Sequence, residues 1–242
     1  MPDTTRVFAY ALVTALATGL GAFPFAFVRQ LSPAVVAWAN AVASGLMLGA
    51  SFGLVAEGTE YGAWQTVAGV TVGVGFLWLT QRFLSRTDIR LGQARGPAAQ
   101  RMLLMITVMT VHSFAEGVAV GVSFGGGMAL AAAITIAIAV HNIPEGLAIS
   151  AVLRPRGASL LACVGWSVFS SLPQPVMAVP AFLFVEAVRP ALPYGIGFAA
   201  GAMVFMVLVE LLPEAFDWAR RAPVALVVCL TLVAMVVFQQ YL

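Results

Sequence analysis

His112-Ser113-Phe114-Ala115-Glu116-Gly117 and, 29 residues further on, His141-Asn142-Ile143-Pro144-Glu145-Gly146 are the stretches from which the rest of the chain is read. Each lies inside an apolar run. Each sets an imidazole and a carboxylate four residues apart, on one face of a helix. The separation is about one membrane-spanning helix plus a short turn. Ionisable side chains at that depth are expensive to bury, so they usually have partners and a function.

Outward from these motifs, the 242-residue chain is 61% hydrophobic and 9% charged, with a mean hydropathy of +0.98. Soluble domains carry about 25% charged residues. The expected fold class is an all-α membrane protein, a single polytopic domain over residues 1–242. Eight apolar segments are long enough to cross: 7–28, 34–56, 62–84, 102–124, 127–152, 158–185, 191–213 and 222–241. The first is longer than the apolar core of a signal peptide and reads as a span. The one long polar connection, 85–101, leaves three spans before it and five after.

All twelve basic residues are arginine. Ten fall at one set of span ends: Arg29, Arg82, Arg86, Arg90, Arg95, Arg101, Arg154, Arg156, Arg220 and Arg221. Only Arg6 and Arg189 fall at the other. Basic residues mark the cytoplasmic side, so loop 85–101 is expected in the cytoplasm and both termini outside. Asp3, Glu57, Glu60 and Glu186 give the outer side a mildly acidic rim that would enrich cations weakly; solvated loop ends account for them as well. No basic patch with interleaved aromatics is present, so nucleic-acid binding has no support. Cys163 and Cys229 stand alone in apolar helices and read as small core residues.

Gly117, Gly121, Gly125, Gly126, Gly127 and Gly146 surround the motifs and let helices approach closely. Pro144 would free a backbone carbonyl near Val140. Pro173 and Pro175 would do the same around Gln174 in the sixth span. Two His/Glu pairs on facing helices supply two nitrogens and at least two oxygens, which suits a first-row divalent cation. Such an ion would also neutralise carboxylates that apolar surroundings cannot tolerate as anions.

The paired H-x-x-x-E-G motifs, the eight spans, the orientation and the long third loop resemble the ZIP family of divalent-metal transporters, nearest its bacterial GufA-like branch. The resemblance implies a 3+2+3 arrangement of spans and movement of metal into the cytoplasm through a site on spans four and five. It also implies an elevator-like motion of spans one, four, five and six against the others, a homodimer, and a bacterial cytoplasmic (inner) membrane location. It carries a first metal position onto His112, Glu116, His141 and Glu145, with Met47 above it. A second position would draw on Ser113, Asn142, Gln174 and the shared Glu145. Here the chain departs from relatives, which often have Asn where it has Ser113 and a Glu-Pro pair where it has Gln174-Pro175. Neutral oxygens hold a dication more weakly, so one tight metal is expected. Glu210 corresponds to an accessory position near the cytoplasmic exit, with Val209 replacing a histidine; a helix-end acid near Arg220 is the plainer reading. Glu214 is expected to be solvated. Loop 85–101 contains no histidine.

No prosthetic group is expected. Zinc is the expected substrate, with iron, manganese and cadmium open. Two other readings remain: an intramembrane metallohydrolase, which would need a separate general base, and a passive cation channel. The chain is not expected to be an enzyme, because no H-E-x-x-H and no spare acid accompany the motifs.

Overall fold

The structure, a computed structural model, describes residues 4–27, 32–84, 90–91, 94–184 and 189–241. Asp3, Arg29, Arg86 and Glu186, used above for orientation, lie outside the described residues. The described chain is helical: α1 (Thr4–Leu20), α2 (Pro33–Leu84), α3 (Pro97–Ser123), α4 (Met128–Leu153), α5 (Leu160–Ser171), α6 (Pro173–Leu183), α7 (Leu192–Met206), α8 (Leu212–Trp218) and α9 (Arg221–Gln240). Arg90–Leu91 and Ala94–Arg95 form a two-residue antiparallel pair in the polar loop.

Among the described residues, seven helices are long and apolar enough to cross a membrane, against the eight expected. The difference lies in α2, whose candidate span runs Pro33–Phe83, 51 residues. Straight, it would measure about 75 Å, more than twice the hydrocarbon core of a bilayer. Its helical dihedrals break at Gly62, which is extended at φ 167°, ψ 104°.

Proline sets the other irregularities. Pro173 has no N–H for the carbonyl of Phe169, and Leu172 N takes that carbonyl instead at 3.2 Å, which tightens the turn between α5 and α6. Pro213 likewise cannot bond Val209, and Val207–Leu211 widens into a π turn ahead of α8. α4 continues through Pro144, whose missing N–H leaves the Val140 carbonyl without its usual helical partner.

The helices sort into two groups. α1, α3, α4, α5 and α6 pack on one another; α2, α7, α8 and α9 do the same; α2 meets α4 and α3 meets α7 between them. Glycine makes these approaches close. A Cβ at Gly117 would meet the backbone of Gln174, and one at Gly146 would strike the carbonyl of Thr18. The terminal glycine of each motif is thus where a neighbouring backbone rests. On α9, Leu226, Leu230, Val233 and Val237 are exposed, an apolar stripe fit for lipid. The largest core cluster holds Met47, Met105, Met109, Met203, Met206 and Leu211.

Candidate metal site

α3 places His112 and Glu116 on one face, and α4 places His141 and Glu145 opposite. The four side chains are buried, at 0%, 4%, 5% and 0% exposure. One ligand atom from each lies within 4.8 Å of the other three. His112 Nε2 is 3.0 Å from Glu145 Oε1 and 3.5 Å from Glu116 Oε1. His141 Nε2 is 3.5 Å from Glu145 Oε1. The imidazoles lie nearly parallel, with centroids 5.8 Å apart.

Proximity here does not amount to bonding. His112 Nε2, His141 Nε2 and both oxygens of Glu145 make no hydrogen bond of acceptable geometry. Buried polar atoms left unpaired cost free energy, typically about 1–3 kcal/mol each. Four donors that converge without satisfying one another could hold a small cation. Among the described residues no other cluster of His, Cys, Asp or Glu has this geometry.

A cavity of about 530 Å³ leads to the site. His112, Glu116 and His141 line its inner end, and Glu57, Glu60, Gln239 and Gln240 its outer end. Ile134, Ile138 and Ala119 contribute apolar wall between them. On the other side of the motifs, towards Arg101 and Arg156, the methionine-rich cluster fills the space.

The remaining expected site residues separate. Gln174 reaches the site, but its Nε2 donates to Glu116 Oε2 at 2.6 Å rather than standing beside Glu145. The reason is that α6 rests on α3 at Gly117 and Gly121. Asn142 Nδ2 donates to Gln174 Oε1 at 3.1 Å. Ser113 Oγ and Asn142 Oδ1 are buried and unpartnered. Met47 is fully buried in the apolar cluster and does not line the cavity. Glu210 sits on the π turn, 3.4 Å from Arg101 Nε, and accepts from Gln81 Nε2 at 3.3 Å; Arg101, not Arg220, is its cation. Glu214 is not solvated. It is 8% exposed, 2.8 Å from Arg156 Nη2, and accepts from Asn40 Nδ2 at 3.2 Å.

Sequence reasoning missed Thr14. Its hydroxyl donates to Gln174 Oε1 at 2.5 Å, and its carbonyl accepts from Asn142 Nδ2 at 2.8 Å. The available signal was Thr14 and Thr18, one helical turn apart in an apolar span, with Thr18 Oγ1 2.7 Å from Ser171 Oγ.

Comparison with known proteins agrees with this geometry. A family model described as ZIP zinc transporter matches residues 92–237. The chain is 46% identical over 227 residues to a candidate zinc transporter of Arabidopsis thaliana, an alignment covering 92% of this chain and 36% of that protein. It is 31% identical over 218 residues to zinc transporter GufA of Myxococcus xanthus, covering 84% and 86%. It is 34% identical over 218 residues to zinc transporter ZIPB of Bordetella bronchiseptica, covering 82% and 69%. The chain therefore spans about a third of the plant protein and most of each bacterial one. On the matched model and these relatives, this chain belongs to the ZIP family of zinc transporters.

Proposed function

We propose that the protein carries a divalent first-row cation, zinc in the first place, across a bacterial cytoplasmic membrane toward the cytoplasm. The observation that carries this reading is the set of four buried, mutually unsatisfied donors, three of which line the inner end of a cavity. The two imidazoles and two carboxylates match the tetrahedral nitrogen/oxygen preference of zinc. Transporter relatives favour a carrier over a hydrolase, and the four site residues leave no separate general base.

In this reading the single domain has eight spans in a 3+2+3 arrangement. Gly62 divides α2 into two spans, which puts both termini outside and the arginine-rich ends inside. The cavity reaches the Glu57 and Glu60 end, so the site faces outward, and the methionine-rich cluster closes the way in. That closed end favours alternating access over an open channel. The two helix groups correspond to a moving bundle and a scaffold. The ion pairs Arg156–Glu214 and Arg101–Glu210 cross between them at the closed end and hold the outward-facing state. Release inside is aided by protonation of the ligands, which bind metal only when deprotonated. A homodimer belongs to the same reading.

The test is zinc uptake by proteoliposomes holding the wild-type protein, His141→Ala or Glu145→Ala. Uptake is expected to fall to background in both variants. Undiminished uptake in both would remove the site from the mechanism.

A further inference from the structure

Glu116 shows its two oxygens to different neighbours. Oε1 faces His112 Nε2 at 3.5 Å, and Oε2 accepts from Gln174 Nε2 at 2.6 Å. A glutamine amide can be turned either way, so its orientation has to be read from its surroundings. Here α1 decides it. The backbone carbonyl of Thr14 can only accept, so the Asn142 atom 2.8 Å away is the donor Nδ2. The same Nδ2 lies 3.1 Å from Gln174, so the atom it meets is the acceptor Oε1. The Thr14 hydroxyl adds a second donor to that Oε1 at 2.5 Å. Its single proton has a competing acceptor in its own helix, the Ala11 carbonyl at 2.7 Å, but two bare oxygens at 2.5 Å would repel. With Oε1 fixed, Nε2 faces Glu116. Thr14, Asn142 and Gln174 are all fully buried, so water does not compete for these bonds.

We propose that this relay from Thr14 through Gln174, braced by Asn142, makes Glu116 a one-oxygen ligand and thereby sets the metal preference of the site. Thr14 is its positioning residue. The inference rests on the metal-site reading above. One oxygen of Glu116, two imidazole nitrogens and Glu145, whose two oxygens are both free, make four or five donors, the range zinc takes. Manganese favours six, mostly oxygens. The amide occupies Glu116 Oε2, the oxygen that two-oxygen binding would add. All four relay residues belong to α1, α3, α4 and α6, one helix group, so the geometry travels intact with the site.

The test measures kcat/KM for zinc and for manganese uptake in proteoliposomes. Thr14→Val and Gln174→Met are expected to lower the zinc-to-manganese ratio about tenfold, the low end of the usual effect of removing a partner of a metal ligand. Thr14→Ser keeps the hydroxyl and is expected to keep the ratio. A purely structural role for Thr14 would lower Vmax for both metals together and leave the ratio alone. An unchanged ratio in the folded variants overturns the proposal, as does Thr14→Ser behaving like Thr14→Val. If Thr14→Val does not assemble, Gln174→Met decides. His141→Ala, run alongside, separates the two levels: full uptake there defeats the metal-site reading itself, whatever the ratios show.

Discussion

Replacing Glu145 with glutamine removes one charge and keeps the shape. Glu145 is the central donor of the four: its Oε1 lies 3.0 Å from one imidazole and 3.5 Å from the other, and neither of its oxygens is hydrogen-bonded. Removing one member of a buried, desolvated charge interaction costs about 3–5 kcal/mol. The lower figure weakens zinc binding about 150-fold. At zinc one hundred times the wild-type Kd, bound metal stabilises the wild type by about 2.7 kcal/mol. In Glu145→Gln the same concentration is below the new Kd, and the stabilisation falls to about 0.3 kcal/mol. At roughly 2–4 °C per kcal/mol for a chain of this size, the zinc-induced rise in Tm should drop from about 5–10 °C to about 1 °C. Thermal unfolding in detergent, with and without zinc, reads this directly. A zinc-induced rise in Glu145→Gln equal to the wild-type rise would refute the reasoning.

The closed end should respond to charge removal unequally. Arg156 and Glu214 side chains are 12% and 9% exposed, so Glu214→Gln should shift the protein toward the inward-facing state, read as faster labelling of a cysteine placed at Met109 by a membrane-impermeant reagent from the cytoplasmic side. Arg101 is 44% exposed, a class of pair worth about 0–1 kcal/mol, and Arg101→Gln should change that rate far less; equal effects would contradict the assignment. Gln174→Glu sets a second carboxylate against Glu116 Oε2 and should raise zinc stoichiometry in titration calorimetry from one to two; an unchanged value counts against the reading that the neutral Gln174 keeps the second position weak. Gly146→Ala drives a methyl into the Thr18 carbonyl and should lower stability by about 1–3 kcal/mol, whereas Gly75→Ala, with nothing within 4 Å of its added Cβ, should be neutral or stabilising; the two melting curves decide.

The four converging donors were legible in the sequence because their spacing repeats and their cost in an apolar span demands a reason. The helical, membrane-spanning character of the chain was legible from hydropathy, and so was the carbonyl freed near Gln174, where Pro173 removes a needed N–H. What stayed hidden depends on contacts far apart in sequence. Glu214 follows a proline near a helix end and reads as solvated, yet Arg156 and Asn40 reach it from other helices. Thr14 reads as a tolerated helix residue until α6 brings Gln174 against it. Met47, placed above the metal by resemblance, is fully buried in the apolar cluster.

The central claim is that one divalent cation is held by His112, Glu116, His141 and Glu145 together. Zinc-edge X-ray absorption on protein loaded with one equivalent of zinc tests it most directly. The account predicts a four-coordinate shell of nitrogen and oxygen at about 2.0–2.2 Å, with two imidazoles in the wild type and one in His141→Ala. A shell without imidazole scattering, or one unchanged by His141→Ala, would contradict it.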